Sequence, residues 1–147
     1  MITAYNGPLD VVHTTKKHDL GAMLEVGGNV YHYCQGVASG VKGAWVTIDE
    51  KHATTLLAAN AIGKVGIMMA ALVANTYGWV QVYGVNTVAS TDTIAANKQL
   101  YIDATAGRAD DAVVVGDMIL GATSQTADAS NVATVYLNYP FVTDALG

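Results

Sequence analysis

The stretch VGIMMAALVANTYGWVQVYG, residues 65–84, decides the fold of this 147-residue chain. It begins with an apolar run and ends with an aromatic one, so a membrane span, a buried helix and two paired strands are all conceivable. The longest apolar segment, residues 62–74, contains Lys64 and two glycines. It is much shorter than the ~20 residues that a spanning helix needs. The sequence therefore argues against a membrane span.

The aromatic half of this stretch favours strands over a helix. There Trp79, Gln81 and Tyr83 alternate with valines, which is the period of a strand. As a helix, residues 65–74 would be apolar on every side, and the internal glycine would weaken it. The link ANTYG ends in glycine, as hairpin links often do. The stretch thus predicts a β-hairpin whose strands line a core.

Further strand patterns follow at short intervals between glycine-rich turns. They are NVYHYCQGV (29–37), GAWVTIDE (43–50), LYIDATAG (100–107), AVVVGDMILGAT (112–123, broken at Gly116-Asp117) and VATVYLNYPFV (132–142). DEKHATTLLAANAIG, residues 49–63, predicts a short helix or helical turn capped by Asp49. The pattern predicts a mainly β fold, a compact β-barrel or sandwich with at most one short helix.

The N-terminus predicts an extended arm. MITAYNGPLD has no helical period, and Asn6-Gly7-Pro8 is typical of a turn. We therefore expect an arm over residues 1–12 and a single β-rich domain over residues 13–147. The start of the chain also lacks the charged and long apolar segments of a signal peptide.

The composition indicates a surface that is partly covered by other molecules. Only 13% of the residues are charged although 52% are hydrophobic, and about 25% charged residues is usual. The net charge is -5, and there is no basic run, so we expect no nucleic-acid partner. We also expect no membrane partner.

One set of residues suggests a zinc site. His13, His18, His32 and Cys34 supply the ligand types of a tetrahedral site. These four residues lack the close spacing of zinc motifs. The alternative is that Cys34 is buried as a small apolar side chain and that the histidines lie in loops or on the surface. We favour that alternative. A Cys34–His32 nucleophile pair has no identifiable orienting acid.

Two adjacent acid pairs, Asp49-Glu50 and Asp110-Asp111, also carry no predicted chemistry. Neighbouring residues on a strand face opposite ways, so neither pair converges on one bond. Both pairs suit solvated turns. We therefore predict no catalytic residue, no metal and no cofactor, and we expect the protein not to be an enzyme.

Several aromatic residues lie on or beside predicted strands: Trp45, Trp79, Tyr77, Tyr83, Tyr136 and Tyr139. About half of them suit core packing. The others are candidates for an interface, where Trp and Tyr are enriched.

Residues 43–84 (GAWVTIDEKHATTLLAANAIGKVGIMMAALVANTYGWVQVYG) and 107–122 (GRADDAVVVGDMILGA) resemble the capsid decoration, or cement, proteins of tailed bacteriophages. The resemblance covers less than half of the chain and no residue before Gly43. It implies a compact β-rich domain on the outer surface of a phage head, made in the host cytoplasm. Such proteins assemble as trimers, sometimes dimers, where capsomers meet. The family brings no functional residues that can be transferred to this chain.

The resemblance implies two partners, the major capsid protein and further copies of this chain, as a trimer rather than a dimer. We expect the arm from Tyr5 to Leu9, including Pro8, to become ordered against the capsid on binding. We expect Trp79 and Tyr83, on one strand face, to lie between subunits. The alternative is a standalone small-ligand-binding β-barrel or hydrolase, which would have a pocket with converging polar groups.

Overall fold

The structure is a computed structural model that describes residues 1–2 and 5–144. These residues form a single antiparallel sheet, with no helix among them. The prediction of a compact, mainly β fold is confirmed. Residues 3–4 of the predicted arm and residues 145–147 of the predicted domain lie outside the described part of the chain.

Ten strands occur in the described residues: β1 (Met23–Val26), β2 (Asn29–Gln35), β3 (Trp45–Ile48), β4 (Thr54–Leu56), β5 (Gly63–Met68), β6 (Tyr77–Ser90), β7 (Gln99–Ile102), β8 (Ala109–Asp110), β9 (Met118–Ser124) and β10 (Val132–Val142). Their order in the sheet is β1-β2-β6-β5-β10-β9-β7-β8, with β3 paired to β5 and β4 to β3. The ends of this order do not join, so the predicted barrel alternative is wrong. The strands predicted at the positions of β2, β3, β7 and β10 are all present.

The predicted pairing within residues 65–84 is confirmed. β5 and β6 run antiparallel, with Ile67 opposite Gln81. The first strand is shorter than predicted, because it ends at Met68 and residues 69–76 form a connection outside the sheet. The apolar run is therefore divided between a strand and a loop.

β5 lies across a fork between β6 and β10. These two long strands pair as far as Tyr83 and Asn138 and then separate. The start of β5 pairs with β10, where Lys64 is opposite Phe141, and its end pairs with β6. At the fork Gly84 has a φ of 101°, a left-handed conformation that glycine adopts readily. Each of β5, β6 and β10 is thus hydrogen-bonded to the other two.

A buried polar network occupies the bend of β6 at this fork. Gln81 is buried, and its side-chain amide donates hydrogen bonds to the backbone carbonyls of Tyr83 and Val85, each at 3.1 Å. Its side-chain oxygen accepts a hydrogen bond from the Asn86 amide at 2.9 Å. Asn86 in turn accepts one from the backbone N–H of Val88. The two side chains thus satisfy each other and three nearby backbone groups of β6, as buried polar side chains usually do.

The alternation predicted for β2 is confirmed. Tyr31 and Tyr33 belong to one buried cluster and Cys34 to another. A third and larger cluster includes Trp45 and Leu137. Because both faces of β2 are covered, the sheet has apolar layers on both sides at this point.

The short helix predicted over residues 49–63 is wrong. Its two adjacent threonines lie in β4, antiparallel to β3, and β-branched side chains fit a strand better than a helix. Asp49 caps a turn instead: it accepts hydrogen bonds from the backbone N–H groups of Lys51 and Ala53 at 2.9 and 3.0 Å.

The strand predicted at residues 112–115 is also wrong. β8 ends at Asp110, and the chain does not rejoin the sheet until β9. Between them Val113 and Val115 are 72% and 81% exposed. We call Val113–Val115 the valine loop.

The Gln81 network leads to a stability prediction. Gln81→Leu should lower the free energy of unfolding by about 2–3 kcal/mol, because the buried Asn86 amide and two partly buried carbonyls lose their partner. Urea unfolding followed by circular dichroism measures the change. The exposed Gln125 provides the control, and Gln125→Leu should shift stability by less than about 0.5 kcal/mol. Equal stability of the two variants would contradict a structural role for the network.

Candidate protein-interaction surface

The N-terminal arm packs on the sheet around Trp79. The edge of the Tyr5 ring meets the Trp79 ring with centroids 5.7 Å apart, and the rings of His18 and Tyr33 each lie 5.1 Å from Trp79. Ile2 extends the edge of the sheet, exchanging backbone hydrogen bonds with β1. The arm is therefore part of the folded domain in this structure.

The residues predicted to form interfaces have different environments. Tyr5 and Leu9 pack against the chain's own aromatic cluster, whereas Pro8 is exposed and its carbonyl accepts a hydrogen bond from the Tyr5 hydroxyl at 3.0 Å. Trp79, predicted between subunits, is fully buried. It offers no surface to a partner while the arm is in place. Tyr83 is partly exposed.

Tyr83 lies in a second aromatic cluster with Tyr136 and Tyr139, which we call the tyrosine ledge. The Tyr83 ring is 5.2 Å from the Tyr139 ring and 6.2 Å from the Tyr136 ring. The hydroxyls of Tyr83 and Tyr136 are 3.4 Å apart. Tyr139 is 53% exposed. The ledge is thus supported from within the chain and open to solvent at Tyr139.

A bulge in β10 produces the ledge. Leu137 lies opposite Ala122 of β9, and Phe141 lies opposite Leu120. Between these two pairs β10 has three residues, whereas β9 has one. Tyr139, inside the bulge, has a φ of 46°, which is rare for an aromatic residue. Such strained conformations are concentrated at binding and catalytic sites. The strain makes this exposed tyrosine a candidate contact residue.

The sequence placed Tyr83, Tyr136 and Tyr139 among the aromatic residues that could form an interface, but of these it selected only Tyr83 for a contact between subunits. Pro140 was a signal, since proline cannot donate to a strand ladder. It did not reveal the left-handed turn, because a residue before proline is normally extended. The bulge depends on the register between β9 and β10, which is a tertiary property.

The candidate zinc ligands do not converge. His13 and His18 lie beside Tyr33, whose hydroxyl is 2.7 Å from Nδ1 of His13. Cys34 is buried in a different cluster, and His32 lines a small cavity. No group of three or more His, Cys, Asp or Glu in residues 1–2 and 5–144 is placed to hold a metal ion.

The Cys34–His32 pair is not arranged for nucleophilic chemistry at neutral pH. Burial raises the pKa of the Cys34 thiol to about 12, so the thiolate that would attack is scarce. Burial, with repulsion from His52 and Lys64, lowers the pKa of His32 to about 4. Neither ring nitrogen of His32 has a hydrogen-bond partner among the described residues.

Three carboxylates of the adjacent acid pairs accept hydrogen bonds from backbone N–H groups. Asp110 accepts a hydrogen bond from the N–H of Ala112 at 3.0 Å, and Asp111 accepts one from the N–H of Ala95 at 2.9 Å. Burial raises the pKa of Asp110 to about 6, and the carboxyls of Asp103 and Asp111 contribute further. Asp49 caps the turn before β4, as described above, and its neighbour Glu50 is exposed. These contacts account for the carboxylates as local structural groups.

Two of the surface cavities formed by the described residues bear on a ligand-binding role. An open groove of about 600 Å³ is lined by Ile2, Lys16, Lys17, His18, Asp19 and Ala22. A cavity of about 40 Å³ lies beside the ledge, with His32, Lys64 and Tyr139 in its wall. Ligand pockets are typically about 300–1,000 Å³ and mostly apolar. The smaller cavity is too small for a metabolite, and the larger groove is open and mainly polar.

The chain matches no protein-family model, no curated protein and no solved structure. In the described ranges, no helix is long and apolar enough to cross a membrane. Function is therefore inferred from the surfaces described above.

The contact between the arm and Trp79 can be tested in solution. Tyr5→Ala should shift the tryptophan emission to longer wavelength and lower stability by about 1–2 kcal/mol, because water gains access to the Trp79 ring. Trp45 is fully buried in another cluster and supplies a constant signal. Val12→Ala, at an exposed arm position, should change neither quantity. An unshifted spectrum for Tyr5→Ala would contradict the packing of the arm.

Asp110 makes stability depend on pH. Its pKa is raised in the folded chain, so the folded state binds this proton more tightly than the unfolded state. The resulting stabilisation is present below about pH 4 and is lost as the pH rises to about 6. Asp110→Asn keeps the acceptor for Ala112 and removes this loss, so at pH 8 the variant should be more stable by roughly 1 kcal/mol after solvent screening.

Thermal melts at pH 4, 6 and 8 measure this difference. The exposed Glu50 provides a control, since Glu50→Gln should differ from the wild type by a constant amount across the range. An Asp110→Asn variant that follows the wild-type profile would show that this carboxyl is not perturbed.

Proposed function

We propose that this protein is a virion structural protein that binds the outer surface of a phage head and stabilises contacts between capsid subunits. Its partners in this proposal are the major capsid protein and other copies of the chain, as a trimer rather than a dimer. The proposal starts from the resemblance of residues 43–84 and 107–122 to decoration proteins. The single observation that supports it is the tyrosine ledge.

The ledge has the properties of an interaction hot spot. Tyrosine is enriched at hot spots because its ring buries a large area while its hydroxyl still forms a hydrogen bond. Tyr139 is held on Tyr83 and projects from a strained bulge, so little side-chain freedom is lost when a partner covers it. The lattice of a phage head is a rigid partner that suits such a preformed contact.

The rest of the surface suits a protein partner as well. The low proportion of charged residues leaves exposed apolar side chains at several places, including Ile62, Leu120 and the valine loop. Exposed apolar groups that lie close together are typical of interaction sites. An enzyme or a small-ligand barrel is not proposed, since the cavity beside the ledge has a volume of only about 40 Å³ and the larger groove is open and mainly polar.

The arm enters this proposal differently from the sequence-based expectation. Tyr5 and Leu9 are already packed on the chain's own core, so binding of this segment to a capsid requires its release from Trp79. The proposal therefore depends on the ledge, which is accessible without any rearrangement.

Co-sedimentation with empty heads of the parent phage tests the role of the ledge. Tyr139→Ala should weaken binding by about 2 kcal/mol, the lower limit for a hot-spot residue. Tyr139→Gly should weaken it similarly while keeping the left-handed backbone without strain, so unfolding cannot explain the loss. Val41→Ala, at another exposed position, is the control. Wild-type protein that does not sediment with heads would overturn the proposed function.

A further inference from the structure

The N-terminal arm contains an exposed asparagine that is followed by glycine. Asn6-Gly7 is the one Asn-Gly pair in the sequence, and both residues are exposed where the arm bends. In such a pair the backbone nitrogen of the glycine can attack the side-chain amide of the asparagine, because glycine has no Cβ to hinder the approach. The pair is therefore chemically labile where its backbone is free to move.

The backbone nitrogen of Gly7 is free to react. Within residues 1–2 and 5–144, neither its N–H nor the Asn6 side chain forms a hydrogen bond. At four other exposed asparagines the N–H of the next residue is held, since it donates to a backbone carbonyl or to a serine hydroxyl. These asparagines are Asn60, Asn75, Asn97 and Asn131. Asn6 thus differs from them both in its neighbour and in the freedom of the attacking nitrogen.

The packing of the arm requires glycine at position 7. The Tyr5 ring folds back over Gly7, so that a Cβ there would lie 2.6 Å from Cζ of Tyr5, much closer than van der Waals contact. The Tyr5 hydroxyl donates a hydrogen bond to the Pro8 carbonyl at 3.0 Å, which closes the bend. The same ring lies against Trp79. The contact that keeps the arm on the sheet therefore selects the residue that makes Asn6 labile.

We propose that Asn6 deamidates spontaneously and that one product releases the arm from Trp79. The Gly7 nitrogen attacks Cγ of Asn6 and forms a bond to it. The bond between Cγ and the side-chain nitrogen breaks, and ammonia leaves with the proton of the Gly7 N–H. Water then opens the resulting succinimide ring at either of its two carbonyl carbons. The step needs no oxidant, reductant or co-reactant other than water.

One of the two products lengthens the backbone in the bend. Where water breaks the bond between the Gly7 nitrogen and the backbone carbonyl carbon of Asn6, the chain runs through Cγ, and residue 6 becomes isoaspartate. The hydrogen bond from Tyr5 to Pro8 spans this altered linkage. The longer backbone no longer holds Gly7 beneath the Tyr5 ring, so water gains access to Trp79. The other product, aspartate, keeps the original backbone and leaves the arm in place.

Mass spectrometry of the full chain tests the modification. The protein is incubated at pH 8 and then digested with trypsin, which releases residues 1–16. Deamidation replaces an NH2 group by OH and raises the mass of this peptide by one dalton, and the isoaspartate and aspartate forms separate by chromatography. Asn6 should react about tenfold faster, or more, than any other asparagine of the chain, because no Cβ hinders the attack. The rate should fall at pH 6, since the deprotonated backbone nitrogen is the attacking group.

Tryptophan emission tests the release of the arm. Incubated wild-type protein should emit at longer wavelength than fresh protein, in proportion to its isoaspartate content, while the buried Trp45 supplies a constant signal. Asn6→Gln is the matched control, because its longer side chain would have to close a six-membered ring, which is slow. After the same incubation this variant should keep both its mass and its emission. Fresh Asn6→Asp carries the charge without the longer backbone and should emit as fresh wild-type protein does.

Three results would overturn this proposal. They are an Asn6 that keeps its amide as long as Asn60 does, isoaspartate-rich protein with unchanged emission, and an incubated Asn6→Gln variant whose emission shifts as far as that of the wild type. No phage head enters these measurements, so any of the three leaves the proposed function as it was. A protein that does not sediment with heads would likewise leave the deamidation of Asn6 standing.

Discussion

The fork at which β6 and β10 separate is the constraint on which the rest of the structure depends. Two long antiparallel strands cannot part inside a sheet without leaving buried backbone groups unpaired, and each such group costs about 1–3 kcal/mol. Here β5 pairs with both strands beyond the fork, so their backbone groups regain partners. Next to the fork, the buried Gln81 amide donates hydrogen bonds to the carbonyls of Tyr83 and Val85.

The tyrosine ledge lies at the point of this divergence. Once β10 leaves β6 at Asn138, the bulge that follows carries Tyr139 outward, beside the Tyr83 ring on the other branch. Beyond the bulge β10 continues between β5 and β9, and its end supports the valine loop. A rigid centre therefore positions apolar groups that are themselves exposed, an arrangement typical of proteins that bind through preformed surfaces.

Much of the sheet could be predicted from the sequence because alternation is a local signal. It located β2 and β3 and the pairing within residues 65–84, where large and small side chains follow the strand period. Prediction from the sequence failed where the local preference for a helix or a strand disagrees with the pairing available in the folded chain. The alanines and leucines after Asp49 favour a helix, but an edge of β3 is available for pairing. Three valines favour a strand, but none of the described residues pairs with them.

The candidate surface was less predictable than the fold. Trp79 and Tyr83 were predicted to lie between subunits because they were expected to share one strand face, but they pack on different clusters. Trp79 is also covered by the ring of Tyr5, a contact between residues far apart in sequence. The left-handed Tyr139 depends on a mismatch of register between two strands. Sequence patterns indicate which way a side chain points along a strand, but they do not indicate what packs over it.

The buried state of Cys34 has a practical consequence. It is the single cysteine of the chain, and its thiol stays protonated and enclosed at neutral pH, so alkylating reagents do not reach it. A cysteine introduced at an exposed position is then the only accessible thiol in the molecule. Dyes, cross-linkers or peptide cargo can be attached at one chosen point without first removing the native residue.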